Sequence, residues 1–128
     1  MTGLDPLAAV ARAWQDLIDG LEGDAPAVDR FATIWLELLP RRLTSCRRAL
    51  ARGDGELARV RLLSLHSSAV MLGLEDLARS TARCQAALDE DDPGLETARA
   101  LARDVMVDAQ EAAALVSAAL GQGRWSKR

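Results

Sequence analysis

Few side chains in this sequence have the types and spacing for chemistry: one histidine, His66, two cysteines, Cys46 and Cys84, and an acidic run, Asp89-Glu90-Asp91-Asp92. An imidazole can serve as nucleophile, proton shuttle or metal ligand near neutral pH. A lone histidine makes a weak metal site, because such sites draw on several ligands at once. The cysteines lack C-x-x-C spacing and fall within helical patterns, so they read as reduced thiols buried in a core. The acidic run stands directly before Pro93 and reads as a loop and helix cap. The sequence holds no glycine-rich phosphate loop, no serine–histidine–acid set and no carboxylate pair on one apolar helix face. We therefore expect no enzyme, no cofactor and no metal.

The elements that position His66 are expected to be helices. The 128 residues fit one domain, 49% of them are hydrophobic and only 3% are aromatic. Abundant Ala and Leu with few β-branched residues favour helix over sheet. Asp5-Pro6 suits a helix start, and Leu4, Leu7, Ala11, Trp14, Ile18 and Leu21 form one stripe, closed by Gly20 and Gly23. Asp24 caps a second helix, with Val28, Phe31, Trp35 and Leu38 on one side. Pro40 should kink or interrupt it, while Leu39, Leu43, Cys46 and Leu50 continue an apolar row as far as Gly53-Asp54. A third helix over about 55–72 carries Ala58, Leu62, Leu65, Ala69 and Leu72 toward the core. Gly73 separates it from a fourth, starting near Glu75-Asp76, with Leu77, Thr81, Cys84 and Leu88 inside. Asp92 and Pro93 open a last helix over about 93–120, whose Ala-rich stripe runs Leu95, Ala98, Ala102, Val105, Ala109, Ala112, Val116 and Ala119. Short connections predict an all-α, antiparallel up-and-down bundle of four core helices plus an N-terminal helix. Residues 1–121 form the expected single domain, and 122–128 a frayed tail.

The stretch from Phe31 to Leu88 resembles the histidine-phosphotransfer (HPt) family. The pieces are Phe31, Pro40, Ala49-Leu50, Gly53-Asp54, Leu65, Ser68, Leu72-Gly73 and Leu77, followed by Thr81. Counting forward from Asp54 or back from Gly73 reaches the family's phosphohistidine position, and Leu63 occupies it. The family's lysine, three residues on, is replaced by His66, and its glycine by Ser67. A phosphoacceptor must offer a neutral ring nitrogen to an aspartyl phosphate, and leucine has no nucleophile. The resemblance therefore implies a degenerate, non-phosphorylatable member that binds a response-regulator receiver domain or a histidine kinase.

On a helical wheel Leu63 points away from the core stripe with Val70, Val60 and Met71, while His66 lies on the flank. Arg59, Leu63, His66, Ser67 and Val70 form the expected docking face. Other readings of these residues stay open. The N-terminal or C-terminal helix covers Leu63, or the apolar face joins two copies in a homodimer. His66 is a flank residue making an ordinary hydrogen bond, or a relocated phosphoacceptor.

Arg41, Arg42, Arg47, Arg48, Arg52, Arg59 and Arg61 crowd a short span, whereas Asp5, Asp16, Asp19, Glu22, Asp24 and Asp29 dominate the N-terminal part. The arginines suit either a solvated face or docking to an acidic receiver pocket. A net charge of −3, with no aromatic interleaved among these arginines, argues against nucleic acid. The start, MTGLDPLAAVARAWQD, lacks the basic and apolar regions of a signal peptide, and no run nears the ~18 apolar residues of a membrane span. The expected location is the cytoplasm, with no membrane partner.

Overall fold

A computed structural model describes residues 5–90 and 94–121. They form five α-helices and, among the described residues, no strand: α1 (Pro6–Gly20), α2 (Ala25–Arg52), α3 (Gly55–Leu72), α4 (Glu75–Leu88) and α5 (Gly94–Gly121). Leu4 of the first stripe, the Asp92-Pro93 helix start and the 122–128 tail lie outside the described residues.

Local chemistry accounts for most of the boundaries. Asp5, Asp24 and Asp54 each stand at an N-cap and accept a hydrogen bond from the amide of Leu7, Ala27 and Leu57, respectively. Pro6 and Pro26 fall in first turns, where the missing amide costs nothing. Glu75 and Asp76 place negative charge at the start of α4, which has no side-chain cap. Gly53 and Gly73 end α2 and α3 in the left-handed region, at φ +77° and +75°. Gly73 answers a second demand: a Cβ there would lie 2.5 Å from Ala13 Cβ and 2.9 Å from the Ala9 carbonyl oxygen. Its bare Cα lets α1 pass close over the α3–α4 turn.

Two expectations about elements do not hold as stated. Of the kink or interruption expected at Pro40, the interruption is absent: α2 runs unbroken through it with the proline exposed. A proline inside a helix costs about 3 kcal/mol. Buried Trp35 and Leu39 on one side and Cys46, Ala49 and Leu50 on the other hold both halves in place. Leu21 is 49% exposed rather than in the core, because α1 stops at Gly20 and the chain turns away before the apolar period reaches it. Val10 and Ala32 are buried instead, and Phe31 and Leu38 are half-buried.

The helices pack in a closed order. α2 lies against α3, α3 against α4, α4 most extensively against α5, and α5 against α2; α1 touches α2, α3 and α5. α3 is enclosed along its inner side. Ala58, Leu62, Leu65, Ala69 and Leu72 are all fully buried. Two buried indoles fasten it: Trp14 Nε1 donates to the Leu72 carbonyl at 3.1 Å and Trp35 Nε1 to Ser68 Oγ at 2.9 Å. Among the described residues, no helix is long and apolar enough to cross a membrane.

Candidate functional site: the outward face of α3

The six buried positions of α3 recur by three and four, so the remaining positions must face outward. Four of them are large and apolar: Val60 (57% exposed), Leu63 (52%), Val70 (57%) and Met71 (45%). Ser64 and Ser67, also exposed, lie between them. α3 is thus apolar on two opposite sides, of which the fold uses one. With half of Leu63 open to water, neither α1 nor α5 covers it.

The edge of this face next to α4 carries His66 and Arg59. The half-buried His66 ring places Nδ1 3.0 Å from the Ala78 carbonyl oxygen and 3.2 Å from Thr81 Oγ1. A carbonyl only accepts, so Nδ1 carries the proton, and the lone pair of the neutral ring falls on Nε2. Thr81 Oγ1 is itself oriented by donating to the Leu77 carbonyl at 2.8 Å. Arg59 pairs with Asp89 at 2.8 Å and donates to the Leu88 carbonyl at 3.1 Å, tying α3 to the end of α4. The pair is largely exposed and contributes about 0–1 kcal/mol.

The opposite edge meets α2. Arg61 Nε donates to Ser45 Oγ at 2.9 Å. Deeper in, Ser68 Oγ accepts from Trp35 and donates to the Ser64 carbonyl at 3.1 Å.

Of the five residues expected to form the site, Leu63, Ser67 and Val70 share the open face. His66 and Arg59 border it, both held by contacts to α4 or the residue just after it. Sequence reasoning missed those contacts, which join residues up to 30 positions apart. Ser68, read in the sequence only as a piece of the family resemblance, is buried next to the core stripe and holds the Trp35 indole.

No reactive thiol adds to the site. Burial pushes the Cys46 and Cys84 thiols up to about 11, with the nearby Cys46 charge adding to the effect on Cys84. Cys84 Sγ donates to the Ala98 carbonyl at 3.3 Å. Both thiols stay protonated at neutral pH and act as small core residues.

The open row of α3 has no nucleophile at its centre. The hydrogen bonds of His66 run from Nδ1 to Ala78 and Thr81 of α4, not to the exposed serines of the row. What it can do is bury apolar area against another surface. No protein-family model, curated protein or solved structure matches the chain.

Proposed function

We propose that this protein is a cytoplasmic docking module of a two-component phosphorelay, a degenerate histidine-phosphotransfer protein that binds a receiver domain or a histidine kinase without accepting phosphate. In this reading α2 to α5 form an antiparallel up-and-down bundle, with α1 packed alongside. The observation that carries it is Leu63, the residue at the phosphoacceptor position, half exposed at the middle of an apolar row. A lost acceptor replaced by a buried leucine would suggest mere packing. An open leucine retains the outward geometry of an acceptor and substitutes apolar contact for chemistry.

The test combines binding and labelling. Purified receiver and kinase domains are screened against the full chain, and binders are then offered as phosphorylated donors. Stable binding without acid-labile label on the chain is expected. Stoichiometric label, or self-association through α3 with no binder among the domains, contradicts it.

The Nδ1–H tautomer of His66 favours one second reading. It leaves Nε2 as the nitrogen able to attack an aspartyl phosphate, so His66 would act as an acceptor one turn from the usual place. Label on the wild type that disappears in His66→Gln would establish this, whereas equal label on both would dismiss it.

A further inference from the structure

Between Arg41 and Arg61 the chain carries seven arginines and two acids, although its net charge is −3. Arg41, Arg48 and Arg52 recur along α2 and line one shallow depression with Pro40, Thr44 and Ser45. Arg61 reaches this row from α3, and its hydrogen-bond partner, Ser45 Oγ, is neutral and leaves the charge uncompensated. Glu37 stands one turn before Arg41, and Asp54 and Glu56 follow Arg52, yet none pairs with these arginines. Among the described residues the ion pairs are Arg59 with Asp89 and Arg79 with Asp76. Arg52 also complements the C-terminal end of the α2 dipole. Arg41 and Arg48 have no such internal task.

Arg61, bonded to Ser45 of this row, is the chain neighbour of exposed Val60, so the row meets the open strip at its Val60 end. An apolar strip edged at one end by uncompensated guanidinium groups matches a partner with an apolar centre and an acidic margin. We propose that the arginine row binds an acidic segment of the protein that docks on α3, steering its approach and fixing its orientation. This deepens the docking function proposed above and rests on it. Nucleic acid is disfavoured because, among the described residues, Trp14 and Trp35 are fully buried and no aromatic lines the arginine row. A membrane surface is disfavoured because the exposed strip holds only Val, Leu and Met, without the Trp or Phe of interfacial helices. A small free anion is disfavoured because the depression is open to solvent along its length.

The probe is a soluble peptide of alternating glutamate and alanine, titrated into the isotope-labelled full chain and followed by amide chemical shifts. Shifts should centre on Thr44, Ser45, Arg48 and Arg61. Binding should fall about tenfold in R48E/R52E and weaken as salt rises, as for exposed charge contacts. R83E, on the far side of α4, should titrate like the wild type. Equal binding by R48E/R52E, or shifts spread as strongly around Arg83, would overturn the proposal. So would a response confined to phosphatidylserine vesicles or single-stranded RNA. Peptide binding is read with no receiver or kinase domain present, so failure of the α3 docking reading would register in receiver binding alone.

Discussion

The two sides of α3 are almost equally apolar and are treated in opposite ways. Inward, Leu62, Leu65, Ala69 and Leu72 are wholly enclosed, and two tryptophans donate hydrogen bonds to the helix. Outward, Val60, Leu63, Val70 and Met71 stay near half exposed. Hydrophobicity by itself therefore does not mark the core of this helix; the neighbours do. The inward side gives stability, and the outward side is an asset only when another molecule covers it.

Substitutions can break this contrast if it is wrong. Leu65→Ala should cost about 2–5 kcal/mol by leaving a cavity in the core, measured by chemical denaturation. Gly73→Ala should come next. Left-handed backbone strain of about 1–2 kcal/mol is joined by a clash with α1 whose overpacking costs about 1–3 kcal/mol. A smaller loss would mean that α1 does not press on the end of α3. Ser68→Ala should cost about 1–3 kcal/mol, because it strands the buried Trp35 Nε1–H, and it should shift the indole fluorescence.

Alkaline titration sharpens the account of the core. The folded thiols of Cys46 and Cys84 sit near 11 against an ordinary value of 9.0. Because the folded values are raised, the native state disfavours thiolate. Stability should be complete below about pH 9 and decline as pH climbs toward about 11. Thermal melts across that interval should flatten when both cysteines are replaced by alanine. The smallest effect belongs to the outward side: Leu63→Ala should change stability by no more than about 0.5 kcal/mol.

Much of this organisation was legible in the sequence, for physical reasons that can be named. Asp24 and Asp54 cap helices through their own local amides, and Gly53 and Gly73 stop them through a backbone conformation other residues avoid. Such signals act within a few residues of themselves. The inward stripe of α3 and the outward placement of Leu63 likewise follow from helical period alone. Pro40 misled because its local cost is set against packing by residues far along the chain. Leu21 misled because periodicity continues past the point where the backbone turns. The attachments of His66 to Ala78 and Thr81, and of Arg59 to Asp89, depend on how α3 meets the end and flank of α4. No spacing within α3 encodes that.

The central claim is that Leu63 marks a docking face rather than an accident of packing. The most direct measurement is calorimetric binding of a receiver or kinase domain, chosen for binding the wild-type chain, to Leu63→Asp. A buried charge in an apolar contact should weaken binding by tenfold or more, about 1.4 kcal/mol or above, with the melting temperature nearly unchanged. Unchanged affinity in a folded Leu63→Asp protein would contradict the account.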